Sequence, residues 1–200
     1  MRFLGLFIIA CSIFAYLRKK QTRHQNNAED SFLEKEQKAN LTRRKDISGL
    51  PYITIPLDKF PIGICENDSI RECESTLQTL SDKKILNLGA KTNTELKLEY
   101  GLANLNILTE YEQNFNTLCQ TLLSYATALM QAEQNAAAQT VLEYGIEIGS
   151  DMSQNFLLLA DLYRTNGTPE RISELIEKAE QLDSLMKNSI LDKLNQILSE

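Results

Sequence analysis

One histidine, His24, and four cysteines, Cys11, Cys65, Cys73 and Cys119, are all the imidazole and thiol this chain has. A zinc site needs several such ligands at short spacings, and a Ser-His nucleophile needs an imidazole beside it. The cysteines form no Cys-x-x-Cys pair and no Cys/His cluster, and His24 stands among Lys and Arg. Carboxylates are plentiful, with 27 Asp and Glu, but they fall beside lysine or solvent, without a paired acid and base. Gly63, Gly89, Gly101 and Gly149 stand alone, so no glycine-rich phosphate loop or nucleotide fingerprint forms. The reading is therefore no enzyme, with no catalytic residue, no metal and no cofactor. Cysteine usage suits a reducing compartment, and Cys119, in a helical apolar stripe, reads as a small core residue. Asn40-Leu-Thr and Asn67-Asp-Ser match glycosylation sequons, tripeptides that recur by chance.

The elements that carry these residues divide the chain by charge. Net charge is −6, but residues 18–45 hold nine Lys or Arg against four acids, whereas residues 109–200 hold five against fourteen. A basic stalk precedes an acidic body. The acidic body argues against general nucleic-acid binding, which needs cations to replace counterions on phosphate. Ahead of the stalk, Phe3 to Leu17 is uncharged and almost wholly apolar. As a helix it would run about 22 Å against a hydrocarbon core of ~30 Å, and Arg2 with Arg18-Lys19-Lys20 would extend it by snorkelling. It reads as a signal-anchor embedded in the bilayer through residues 3–17, with the body cytoplasmic by the positive-inside rule. Two alternatives stand beside it. One is a cleaved secretory signal, although its n-region carries a single charged side chain and translocation would start with Arg-Lys-Lys. The other is lipid anchorage and export, because Ile8-Ile9-Ala10-Cys11 looks like a bacterial lipobox with Cys11 as the modified residue.

The remaining segments read in order. Residues 1–20 form the anchor and its basic flank. Residues 21–46 are a polar basic stalk, helical in part around 29–39. Residues 47–64 are apolar and punctuated by Pro51, Pro56 and Pro61, so they predict an extended strap that must lie against something. Residues 65–108 form a helical extension, with capping-box spacing at Ser69-Ile-Arg-Glu72, a second cap at Thr94-Glu95, and asparagines Asn87, Asn93, Asn104 and Asn106 suited to turns. Residues 109–200 form the body. Thr109-Glu-Tyr-Glu112 would cap a long helix to about Gln131, Asn135 the next to about Ile148, and Thr168-Pro169-Glu170 a fourth after Gly167.

Within the body, apolar and small residues repeat every 34 positions. Phe156, Leu159, Ala160, Tyr163, Ile172, Ile176 and Ala179 return, shifted back, as Leu122, Tyr125, Ala126, Leu129, Ala138, Leu142 and Gly145. This large-x-x-large-small pattern resembles the tetratricopeptide repeat. The resemblance covers residues 119–186, with units at about 119–152 and 153–186 and an amphipathic capping helix at 184–199. It implies an antiparallel helix-turn-helix solenoid, which with the single N-terminal transmembrane helix read from residues 3–17 gives an all-α fold. Two units are few for a stable core, so the 69–80 helix, the 83–108 stretch and the final helix are expected to supply the missing packing. By matched position, a concave protein-binding face would hold Gln120, Leu123, Thr127 and Met130, then Gln154, Leu157, Asp161 and Arg164. Leu123 and Thr127 stand where a carboxylate clamp would want Lys and Asn. The implied function is a membrane-tethered scaffold for a protein partner. The alternatives are a fixed structural subunit, its groove filled in cis by residues 47–64, and an exported lipoprotein assembly factor.

Overall fold

The computed structural model describes Phe14, Arg18 and residues 30–199. Except for Phe14, the apolar segment 3–17 lies outside the described residues, as does Cys11. Among the described residues no helix is long and apolar enough to cross a membrane. Those residues are all-α: helix α1 covers residues 30–40, and there is no strand. It is followed by α2 (Asp68–Ser81), α3 (Asn93–Tyr100), α4 (Leu105–Gln131), α5 (Asn135–Glu147), α6 (Ser153–Thr165), α7 (Glu170–Glu180) and α8 (Lys187–Ser199). The architecture is compatible with a helical repeat. The chain divides into two compact units, one ending at Asp46 and resuming over Thr92–Leu105, the other made of Ile47–Lys91 and Asn106–Glu200.

In the first unit a fully buried asparagine organises the end of the stalk. Asn104 Nδ2 donates to the carbonyls of Lys45 (2.7 Å) and Tyr100 (2.8 Å), while its Oδ1 accepts from Arg44 Nε (3.1 Å). Gly101 makes the close approach possible. Its φ is +88°, and a Cβ there would lie 2.4 Å from the Arg43 carbonyl oxygen, closer than any side chain tolerates. On α1, Glu36 accepts from Lys97 Nζ and from Thr94 Oγ1 (2.7 Å) of α3. The Lys97 hydrogen bond, followed by that of Thr94, holds the Glu36 carboxyl below its ordinary range. The basic segment 43–45 is thus tied to the turn after α3.

The second unit is built on a core in which the 34-residue pattern reappears as burial. Leu122 and Phe156, Tyr125 and Leu159, Ala126 and Ala160, Leu129 and Tyr163, Ala138 and Ile172, and Gly145 and Ala179 are buried in both members. In the seventh pair Leu142 is buried and Ile176 half-buried. Helix α5 packs on α6, α6 on α7 and α8, and α7 on α8. At the α5–α6 crossing a Cβ on Gly145 would come within 2.5 Å of Asn155 Nδ2, so the small residue sets the helix separation. Glu143 Oε1 ties α5 to both following helices, accepting from Tyr163 Oη (3.1 Å) and Arg171 Nη1 (2.8 Å). The added packing comes from α2 through Ile70, Leu77 and Leu80, from Ile85, and from α8 through Ile190 and Leu194, all in the same core.

The strap lies against this unit. Phe60 stacks edge-on against Tyr144 with ring centroids 5.2 Å apart, and Tyr144 Oη donates to the Thr54 carbonyl (3.0 Å). Tyr52 meets Tyr111 edge-on at 5.7 Å, with Lys84 Nζ 4.8 Å from the Tyr52 ring centre. The Tyr125 hydroxyl reaches the Pro61 carbonyl (2.9 Å) and Glu74 Oε1 (3.1 Å), and Gly63 N donates to the same carboxylate oxygen (2.8 Å).

Several helix starts differ from expectation, for local reasons. Helix α2 is capped by Asn67, whose Oδ1 accepts from Ser69 N (2.8 Å) and Ile70 N (3.3 Å), two residues ahead of the expected Ser69. Thr92, not Thr94, caps α3, in a full capping box with Glu95. Helix α4 begins at Leu105, because the 3₁₀ turn Leu102–Asn104 runs straight into it, which leaves Thr109 and Glu112 inside the helix. Asn135 is the first residue of α5 rather than its cap. Thr168 makes no side-chain cap to α7: its hydroxyl turns back to the Tyr163 carbonyl (3.2 Å) and closes the end of α6.

The Asn104 node yields a prediction. Gly101→Val or Asn104→Ala should release residues 43–45, so that native-state trypsin cuts after Arg43, Arg44 or Lys45 at least tenfold faster than in the parent chain. Unchanged cleavage would show that the node does not hold the stalk.

Candidate functional site

The eight residues expected to line a concave face lie on α4 and α6. Gln120, Gln154 and Arg164 are exposed, and Leu123, Thr127, Met130, Leu157 and Asp161 are half-buried. Leu123 and Met130 rest partly on the core, so each is at once a packing residue and a surface residue. Thr127 spends its hydroxyl on the Leu123 carbonyl (2.8 Å), one turn back. The two charged members answer each other: Arg164 Nη2 lies 3.2 Å from Asp161 Oδ1, with both side chains half-exposed. An exposed pair of this kind contributes little to stability. Its main effect is to leave the face close to neutral. Gln120 sits apart from the other members of its row, beside α2, where it lines a cleft of about 420 Å³ with Cys73, Thr76 and Thr121. What the residues offer is a mixed surface of leucine, methionine, amide and hydroxyl groups, suited to an amphipathic helix or extended segment.

The strap's contacts described above run to Glu74, Lys84, Tyr111, Tyr125 and Tyr144, none of which is among these eight residues. Another concavity was not anticipated. It is a cleft of about 600 Å³ lined by the N-terminal turns of α4, the 87–90 loop, the α5–α6 turn and the α7–α8 linker. Its residues looked unrelated in sequence. Glu112 read as a capping partner, and Leu182 to Met186 read as a connection or the start of the last helix. On α4 the half-buried Glu112 lines it, together with Phe115, which is only 7% exposed.

The titratable groups near the core are shifted by burial. Burial pushes the Cys119 thiol up to about 11, opposed by a Ser150 hydrogen bond and helped to a smaller degree by the nearby Asp151. Cys73 is raised for the same reason, with Glu72 and Glu74 adding to it. Thiols of this kind stay protonated at neutral pH and serve packing rather than attack. Burial and Glu147 carry Tyr144 up to about 12, and burial and Glu74 raise Tyr125 as well. The folded state therefore keeps protons that the unfolded chain has released. Stability is intact below the ordinary thiol value of 9.0 and falls as pH climbs through about 11. Cys119→Ala should flatten the first part of that fall, between about pH 9 and 11 in urea titrations. An identical pH profile in parent and variant would remove Cys119 as its source.

No protein-family model, no curated protein and no solved structure matches this chain.

Proposed function

We propose that this protein is a membrane-tethered scaffold that binds a protein partner through the α4–α6 face of a tetratricopeptide-like helix array. The observation that carries the reading is the agreement of sequence period and burial. Six of the seven residue pairs 34 apart are buried in both members, and the surface residues between them stay accessible on α4 and α6. Repeats of this kind build recognition surfaces, because their stacked first helices present side chains in rows. The apolar segment 3–17 and the Arg18-Lys19-Lys20 cluster support a single-pass anchor with the body on the cytoplasmic side. Anchoring raises the effective concentration of a captured partner at the membrane. The acidic body keeps anionic polymers away.

A second reading is favoured by one feature. The strap is held by Phe60, the Thr54 carbonyl and the Pro61–Tyr125–Glu74 contacts, which is how a permanently occupied subunit would keep its own segment. Its partners Tyr125 and Tyr144 differ from the eight face residues, so the scaffold reading is preferred.

The test replaces the face without touching the strap. Leu123→Glu with Asp161→Lys should reduce co-purification of a membrane-recovered partner at least tenfold while helical content stays at the parent level. Leu157→Glu, at a position outside the core, should do the same. Parent-level recovery with both variants would exclude the face.

A further inference from the structure

The cleft beside the α7–α8 linker has a chemistry of its own. Glu112, Asp151 and Asp183 line it, and no lysine or arginine does. Among the described residues the Glu112 and Asp183 carboxylates have no ion-pair or hydrogen-bond partner. Asp151 accepts from Ser184 Oγ (2.6 Å), which anchors the linker to the start of α6. The apolar part is formed by Phe115 and Leu182, with Met186 on the rim. Beside them Leu185 is fully exposed and Met186 about half-exposed, so the rim of the cleft is apolar. Burial raises Glu112 from its ordinary value, so its charged form lacks compensation where it stands.

We infer that this cleft is a second docking site, and that its occupant is a protein segment carrying arginine or lysine next to large apolar side chains. A cation set between Glu112 and Asp183 would supply the missing countercharge, and a neighbouring leucine or phenylalanine would pack on Leu182, Leu185 and Met186. The same carboxylates repel phosphate and anionic lipid headgroups, which turns the choice toward a basic peptide. The site differs from the α4–α6 face in both residues and charge, so it stands or falls separately.

The experiment uses the full-length chain in a non-ionic detergent and three labelled hexapeptides of one pattern: Leu-Arg-Leu-Leu-Arg-Leu and its Gln and Glu analogues. Anisotropy should show saturable binding of the arginine peptide, at least tenfold tighter than the glutamine analogue. Amide shifts should appear at Gly89 and Gly149, which line the cleft. Glu112→Gln with Asp183→Asn should weaken binding at least tenfold, and Leu185→Ser, at a position too exposed to affect folding, about threefold. Leu123→Glu should leave it unchanged. Glu170→Gln with Glu177→Gln removes the same charge from the exposed side of α7 and should change affinity less than twofold. The proposal is overturned if the arginine peptide does not bind saturably or if the glutamine analogue binds equally well. It is also overturned if the α7 control loses as much affinity as the cleft variant, since the attraction is then general acidity.

Discussion

A buried carboxylate sets the terms for the second unit. Glu74 is 7% exposed, and a polar group so placed must find hydrogen-bond donors or destabilise the fold. Its donors come from two distant parts of the chain: Gly63 N from the strap and the Tyr125 hydroxyl from α4. Because the same hydroxyl shares its one proton with the Pro61 carbonyl, α2, the strap and α4 become one cooperative piece. Loss of the Tyr125 hydroxyl takes a donor from both the buried Glu74 carboxylate and the Pro61 carbonyl, at a cost of about 1–3 kcal/mol.

That constraint explains how so short a helical array can hold together. Two helix pairs stacked end to end expose apolar faces at both ends. At the front, α2 adds Ile70, Leu77 and Leu80 to the shared core, and the strap adds Ile55 and Phe60; at the back, α8 packs on α6 and α7 and contributes Ile190 and Leu194. The strap is therefore part of the core as well as a covering segment. The strap is extended over its first part but not throughout as expected: a 3₁₀ turn, Leu57–Lys59, follows Pro56, and its prolines suit a segment that needs no ladder of its own. The shared scaffold then leaves two surfaces of different character, a near-neutral face on α4 and α6 and an acidic cleft beside the α7–α8 linker.

What was legible in the sequence was whatever repeats locally. The helical stripes of α2 and α4 to α8, the stop at Gly149 and the small residue Gly145 followed from spacing and residue type. Asn104 was legible as a hydrogen-bonding residue, but its partners were not, because they lie nearly sixty residues away at Arg44 and Lys45. Competing signals misled the helix starts. Ser69-x-x-Glu72 and Thr109-x-x-Glu112 both have capping-box spacing, yet Asn67 is better placed for α2, and α4 had already begun at Leu105. The strap was recognisable by composition. Its seat on Tyr125 and Tyr144 depends on pairings across 64 and 90 residues, which no local pattern encodes. The cleft stayed hidden for the same reason, since its walls meet only once α4 overhangs the first repeat.

The functional account rests on the α4–α6 face meeting a partner while the strap side stays closed. The most direct measurement places a photoreactive amino acid at Leu157, and in a separate chain at Thr140 on α5, and irradiates native membranes. The account predicts one dominant protein adduct from position 157 and none from position 140. Equal adducts from both positions, or none from 157, would contradict it.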